Sequence, residues 1–323
     1  MKAIQINRCG GPEVLEWKDV PEPVAAPGQA VLRQTAIGLN FIDTYHRSGL
    51  YPLSFPAGLG MEAAGVVEAV GPGVTSCVPG DRVAYCSPPP GAYAEKRAIA
   101  ADRLVKLPAG VDDRTAAAAM LKGLTAWYLL RRSYPARRGD TVLAYAAAGG
   151  VGLILGQWAR SLGVRAIGVA GTPEKAALAK AHGYSDVILA DAPDFVARVR
   201  ELTGGAGVAA VYDSVGKASF TQSLDCLRRH GVMVSYGNAS GPVEPFTPLE
   251  LARRGSLYIT RPSLFDFIAE RADLEAGSAE LFALIASGAL KLHIGQTYPL
   301  ADVARAHRDL EARRTSGSTL LLP

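Results

Sequence analysis

Hydrophobic and polar positions change their pattern twice along the chain. Through about residue 120, apolar or alternating runs such as QAVLRQTAIGLN (29–40) and EAAGVVEAVG (62–71) are separated by APG, GPG and PGD turns. Period-two runs bounded by such turns predict strands, and this part reads as a compact, antiparallel, partly closed β-fold. VPGDRVAY (78–85) is a turn feeding a short strand. SPPPGAY (87–93) is loop, because three consecutive prolines offer no amide donors.

The pattern becomes helical at DDRTAAAAMLKGLTAWYLLRR (112–132), where Asp112 or Asp113 can cap a run rich in alanine and leucine. Strand and helix then alternate. TVLAY (141–145), RAIGVA (165–170), DVIL (186–189), VAAVYDSVG (208–216), VMVSYG (232–237) and SLYIT (256–260) read as strands. GGVGLILGQWARSLG, PEKAALAKAHG, DFVARVRELTGG and SFTQSLDCLRRHG (219–231) read as the helices between them. Six strands interleaved with helices predict a doubly wound parallel sheet. After residue 262 a helix (AELFALIASG), a strand (KLHIG, 291–295), a helix (ADVARAHRDLEARR) and a terminal strand (STLLLP) form a tail too short for a domain. It is expected to dock on the N-terminal β-fold, with the α/β part inserted between.

Composition narrows the class without changing this outline. The 323 residues exceed one ordinary core, and 49% apolar with 20% charged residues is globular. A net charge of +4, spread over scattered arginine pairs, gives no nucleic-acid stripe. Cys9, Cys77, Cys86 and Cys226 lie far apart without a CxxC, which suits a reducing compartment. No apolar run is long enough to span a membrane, and MKAIQINRCGGPEV reads as neither signal peptide nor anchor. A soluble cytoplasmic protein is expected.

The turn after the first strand of the doubly wound part reads Ala147-Ala148-Gly149-Gly150-Val151-Gly152. It is G-x-G-x-x-G with alanine at the first position, placed where a dinucleotide pyrophosphate meets helix amides. After the second strand, Gly171 stands where an acidic residue would grip a ribose 2′-hydroxyl. A glycine leaves room for a 2′-phosphate, and Thr172 and Lys175 supply a hydroxyl and a positive charge, which favours NADPH over NADH. Lys175 also fits a plain exposed lysine on the first turn of a helix.

NFIDTYHRSGLYP, GMEAAGVVEAVGPGV, GDRVAY, LKGLTAWYLL, AAAGGVG, VYDSVG and GSLYITRPSL follow one another in this order. Together they resemble the zinc-independent, zeta-crystallin-like quinone oxidoreductases of the medium-chain dehydrogenase/reductase superfamily, from about Gly10 to the end. The resemblance implies a discontinuous GroES-like catalytic domain (1–123 and 264–323), a Rossmann NADPH-binding domain (124–263), and a homodimer. It implies that Asn40, Asp43, Tyr45 and Tyr51 line the nicotinamide and substrate side, and that Thr125 touches the nicotinamide. It further implies a pyrophosphate turn at Gly149, Gly150, Val151 and Gly152, and a 2′-phosphate site at Gly171 and Lys175. Ser214, Val215 and Gly216, then Tyr236, Gly237 and Asn238, would lie over the adenine and nicotinamide halves, with Arg261 and Arg313 as further contacts. Ala190 departs from the tyrosine often found near the 2′-phosphate, and Asp191 adds a negative charge there.

Zinc-ligand positions of the related alcohol dehydrogenases are not filled. AIGLNFID has no cysteine, Met61 precedes Glu62 where those enzymes carry histidine, and the four-cysteine loop is missing. The five histidines have no ligand spacing, and His46 reads as a solvent-touching loop residue. No GxSxG is present. A quinone or conjugated enone accepts hydride without a Lewis acid, so orientation and hydrogen-bond donors for the developing oxyanion suffice. Asn40, Tyr45 or Tyr51 are the candidate donors; Tyr51 or water can deliver the proton. Asp43 can orient a neighbour or cap a helix. Three readings follow: an NADPH-dependent quinone reductase, an alkenal or enone reductase on the same fold, and a non-catalytic NADPH- or RNA-binding crystallin-like protein. The scattered charge gives the last little support, and no nucleic-acid or membrane partner is expected.

Overall fold

The computed structural model describes all residues from Met1 to Pro323. In chain order the strands and helices are β1 (Lys2–Ile6), β2 (Glu16–Asp19), β3 (Gln29–Leu39), α1 (Phe41–Ser48), β4 (Ala57–Gly58), β5 (Glu62–Val70), β6 (Arg82–Cys86), β7 (Lys96–Ala100), β8 (Val105–Lys106) and α2 (Asp113–Tyr128). There follow β9 (Thr141–Ala144), α3 (Gly150–Ser161), β10 (Arg165–Ala170), α4 (Pro173–Ala181), β11 (Asp186–Leu189), α5 (Phe195–Leu202), β12 (Val208–Asp213), α6 (Phe220–Cys226), β13 (Leu227–Ser235), α7 (Leu249–Arg253), β14 (Tyr258–Thr260) and α8 (Leu264–Phe267). The tail contributes α9 (Arg271–Ala286), β15 (Ile294–Pro299), α10 (Val303–Glu311) and β16 (Ser318–Leu322).

The chain divides into two compact units. The first comprises Met1–Leu124, Ile268–Gly288 and Leu292–Pro323. Its main sheet runs β15-β16-β3-β5-β6-β8, with β7 on the other half of β3, and a small sheet runs β2-β1-β4. The tail completes the main sheet, because β16 pairs antiparallel with β3 (Thr319 opposite Leu39). Alternating apolar positions of these strands bury Ile4, Leu32, Ile37, Tyr85 and Leu321 in one core, joined by Tyr93 from the loop after β6. Asp112, rather than Asp113, caps α2: its Oδ1 accepts from the Thr115 amide at 2.7 Å, while Asp113 meets Thr35 and Arg82.

The second unit comprises Thr125–Phe267 and Ala289–Lys291. Its six strands are all parallel. Their spatial order is β11-β10-β9-β12-β13-β14, which counted within the sheet is 3-2-1-4-5-6. This is the dinucleotide-binding order, with the switch point between β9 and β12. Leu143, Ile167, Val211, Met233 and Phe195 fill its core.

Three details differ from the sequence expectation. α6 stops at Cys226 and Leu227–Arg229 join β13, because burying Leu227 opposite Val208 outweighs helix propensity. The tail strand begins at Ile294, not Lys291: the Lys291 amide and carbonyl are both bound by the Gln157 side chain, at 2.9 and 3.0 Å. The same bonds place Ala289–Lys291 in the second unit. The stacked rings of Tyr128 and Phe267, with centroids 4.8 Å apart, keep residues 264–267 there too.

Candidate functional site

In the second unit the strand ends converge. The carboxyl ends of β9, β10, β12, β13 and β14 carry, respectively, the 145–150 turn, Gly171–Thr172, Ser214–Gly216, Tyr236–Asn238 and Arg261. Thr125 lies on α2 rather than at a strand end.

The first turn is shaped by close packing. Ala146 takes a left-handed conformation (φ 51), which a β-branched or bulky residue would disfavour. Ala147 is buried, its amide donates to the Val169 carbonyl at 2.9 Å, and Gly168 leaves room for its methyl group. An alanine at the first glycine position is thus matched by a glycine on the neighbouring strand. A Cβ at Gly152 would overlap the Ala146 carbonyl oxygen and lie 2.7 Å from that of Ala147. Only glycine lets α3 start this close to β9. The first amides of α3 have no intrahelical acceptor, and its N-cap, Gly149, has no side chain to cap them. They and the helix dipole form an anion-binding end.

Gly171 has no atom within 4 Å of where a Cβ would stand. Thr172 caps α4, its Oγ1 accepting from the Lys175 amide at 3.3 Å. Lys175 lies in the first turn of α4 and is of intermediate exposure. The turn after β12 is held from beneath by Asp213, a fully buried residue that sequence reading did not single out. Its Oδ1 accepts from the Val215 and Gly216 amides at 2.7 and 3.1 Å, and its Oδ2 from the Ser219 and Ser223 hydroxyls at 2.6 and 2.8 Å. The end of β12 is joined to the Tyr236–Asn238 segment by the Tyr236 amide, which donates to the Asp213 carbonyl at 2.8 Å, and just beyond that segment the Ser240 amide donates to the Val215 carbonyl at 2.8 Å. With its side-chain amide turned over, so that both of its ends are satisfied, Asn238 accepts from Arg261 at 3.2 Å and donates to the Gly237 carbonyl at 3.1 Å.

In the first unit Asn40, Asp43, Tyr45 and Tyr51 come together on and just after α1. Asn40 is the N-cap, and Asp43 reaches back to accept from its backbone amide at 2.9 Å. Asp43 therefore sits inside the first turn rather than ahead of it. The rings of Tyr45 and Tyr51 meet edge to face, with centroids 5.4 Å apart. Arg313 follows α10 in this unit, with φ 59.

Asn40 has a further constraint. Its Nδ2 donates to the Gly38 carbonyl at 3.2 Å and to Glu62 Oε2 at 2.8 Å. Both amide hydrogens are committed inward, which leaves Asn40 no free side-chain donor for a ligand. Glu62, fully buried, also accepts from Lys122 Nζ at 2.9 Å and from the Leu121 amide at 2.7 Å. This buried ion pair was not foreseen. Its signal is a lone acid in the apolar strand MEAAGVV and a lone lysine in the apolar helix AAAAMLKGL.

Behind α1 lies a second buried polar group. Tyr93 Oη donates to Asp43 Oδ2 at 2.7 Å and lies 3.1 Å from His307 Nε2; His307 Nδ1 lies 3.0 Å from Arg47 Nη1. Arg47 forms a two-pronged pair with Glu311 at 2.6 and 3.0 Å. Burial pushes Asp43 up to about 7, against the Tyr93 hydrogen bond that favours its carboxylate. Burial, aided by Arg47, pulls His307 down to about 3. His46 is not a loop histidine touching solvent: it lies within α1, only 8% exposed, and burial pulls it down to about 4. An amphipathic helix aims His307 inward beside Val303, Ala306 and Leu310, a pattern legible in ADVARAHRDLEARR.

No group of three or more His, Cys, Asp or Glu side chains is placed to hold a metal ion. No helix is long and apolar enough to cross a membrane.

Residues 26–109 match the family model described as the alcohol dehydrogenase GroES-like domain, and residues 150–276 the one described as zinc-binding dehydrogenase. A quinone oxidoreductase of Pseudomonas aeruginosa is 52% identical over 323 residues, covering 100% of this chain and 99% of that protein. A 2-haloacrylate reductase of a Burkholderia species is 46% identical over 328 residues, covering 99% of this chain and 98% of that protein. The crystal structure of Escherichia coli quinone oxidoreductase complexed with NADPH superimposes with a TM-score of 0.98 at 48% identity, covering 100% of both chains.

Proposed function

The chain belongs to the quinone oxidoreductase family of the medium-chain dehydrogenase/reductase superfamily, and from that premise we propose that it reduces quinones with NADPH, without a metal. The observation that carries the reading is the pair of glycine sites in the second unit. Gly152 is packed so tightly that only glycine fits, at an anion-binding helix end, whereas Gly171 is open where a carboxylate would select NADH.

NADPH, when bound, supplies the hydride. The amides of Gly150, Val151 and Gly152 hold its pyrophosphate beside Gly149, and Asp213 keeps the Ser214–Gly216 turn rigid. Gly171, Thr172 and Lys175 would receive the 2′-phosphate; Thr125, Tyr236, Gly237, Asn238, Arg261 and Arg313 are the other proposed contacts of the dinucleotide. Ala190, in place of an aromatic hydroxyl, leaves this grip to Lys175. On this reading the second unit (125–267 and 289–291) binds the cofactor, and the first unit serves the acceptor. Asn40 accepts a hydrogen bond from the bound molecules, Tyr45 and Tyr51 donate to the reduced acceptor's oxygen, and Tyr51 or water supplies the proton. The carboxylate of Glu62, which stands next to Met61 at the position of a zinc ligand in the related alcohol dehydrogenases, is engaged by three protein donors, which supports zinc independence.

A reduced alkene is the second reading, favoured by the 46% identity to an enzyme named for 2-haloacrylate. Turnover of a small quinone and of an enone, each with NADPH, separates the two; faster enone turnover would displace the first.

The protein is also proposed to be a cytoplasmic homodimer. All four cysteines are free, as a reducing compartment keeps them. β14 is a sheet edge whose Tyr258 is 61% exposed, and Leu249 and Phe246 of the same unit are exposed as well. An uncovered apolar edge pairs readily with a second copy. A monomer mass under dilute, mild conditions would refute this.

A further inference from the structure

The hydrogen bonds behind α1 can run in only one direction. A guanidinium only donates, so His307 Nδ1, 3.0 Å from Arg47 Nη1, accepts. Nε2 then carries the imidazole hydrogen and donates to Tyr93 Oη at 3.1 Å. Tyr93 must in turn donate to Asp43 Oδ2 at 2.7 Å, where the Asn40 amide also donates at 2.9 Å. Oδ2 is therefore always an acceptor. A proton on Asp43 has only Oδ1 to occupy, and Oδ1 is buried without a protein partner. Arg47 keeps its proton, so this file does not conduct protons from solvent.

We propose that Arg47, His307 and Tyr93 are positioning residues: they hold Asp43 as the anionic acceptor that anchors the start of α1, and so keep Asn40 and Tyr45 in place for the acceptor. The inference rests on the quinone-reductase reading. When Asp43 is ionised, Oδ2 accepts two charge-assisted bonds; when it is protonated, both weaken and the N-terminal turn loosens. The charged groups around Asp43 oppose one another. Lys122 of α2 favours its carboxylate and Glu62 of β5 disfavours it, while Arg47 and Glu311 pair beyond Tyr93 and His307. Burial brings the midpoint to about 7, within the working range of an assay.

The test compares wild type, Tyr93→Phe and Asp43→Asn between about pH 5 and 9. Two readouts are needed: the titration of the Asp43 carboxyl carbon by 13C NMR in the ligand-free protein, and KM for a small quinone at saturating NADPH. In the wild type, KM should rise as pH falls through the Asp43 midpoint, with kcat changing less. Removing the Tyr93 hydroxyl withdraws one donor from the carboxylate, so both midpoints should move up by about one pH unit. Asp43→Asn should hold KM high at every pH. A Tyr93→Phe protein that is merely less stable, with both midpoints unmoved, overturns the proposal, as does an inflection surviving in Asp43→Asn. A wild type that binds NADPH but turns over no quinone counts against the functional reading instead. The NMR titration then decides alone, and an unmoved Tyr93→Phe midpoint still overturns the role given to Tyr93.

Discussion

Substituting the two glycines of the second unit should separate folding from cofactor recognition. At Gly152 a methyl group overlaps the Ala146 carbonyl and stands 2.7 Å from that of Ala147, where contact needs more than 3 Å. Backbone on both sides must move, by about 1 Å, at a cost of roughly 1–3 kcal/mol. A displacement of that size in a binding turn lowers turnover on the order of 100-fold. Gly171 has open space, so Gly171→Ala should leave stability unchanged or raise it by about 0.4–1 kcal/mol through the unfolded chain. Gly171→Glu places a carboxylate where the 2′-phosphate is proposed to lie. For charges 4 Å apart the repulsion is about 1 kcal/mol in water and about 4 kcal/mol at an effective dielectric of 20. NADPH affinity should therefore fall roughly 5-fold to several-hundred-fold, while NADH affinity holds or improves. Denaturant unfolding of the ligand-free variants and fluorescence titration with both dinucleotides measure these effects. Equal losses for NADPH and NADH in Gly171→Glu, or a Gly152→Ala protein of wild-type stability and affinity, would refute the reasoning.

Three further outcomes follow from the buried groups and the sheet edge. Lys122→Met strands the Glu62 carboxylate in the interior and should cost about 3–5 kcal/mol in urea unfolding, much of it recovered when Glu62→Gln is added. His46 is held neutral to about pH 4, whereas in the unfolded chain it protonates near 6.5. Protons thus favour the unfolded state between these values, and stability is lost as pH falls from about 6.5 toward 4. His46→Phe should remove up to about 1.4 kcal/mol per pH unit of that slope, read from unfolding curves across the window. Tyr258→Lys should convert the proposed dimer to monomer by light scattering, with the ligand-free fold intact by circular dichroism.

Local signals carried much of the architecture. The strand–helix alternation after residue 140 dictates the parallel sheet, and glycine spacing marks the turn before α3. The end of α6 was illegible because Leu227 looks helical until its pairing with Val208 is known. The start of β15 depends on one glutamine 134 residues away in the chain. Asn40, Asp43, Tyr45 and Tyr51 could be named from one motif, but not their hydrogen-bond polarity. That polarity is set by Glu62, Lys122, Tyr93 and His307, which are distant in sequence and meet only on folding. An isolated charge within an apolar run is the trace such pairs leave, and it does not name the partner.

The most direct test of the account is the nicotinamide absorbance of NADPH mixed with chelator-treated protein and a small quinone. The account predicts loss of that absorbance in proportion to the quinone added, faster with NADPH than with NADH, and unchanged when zinc is supplied. Absorbance that stays constant with every one of several quinones, or that falls only after zinc is returned, would contradict it.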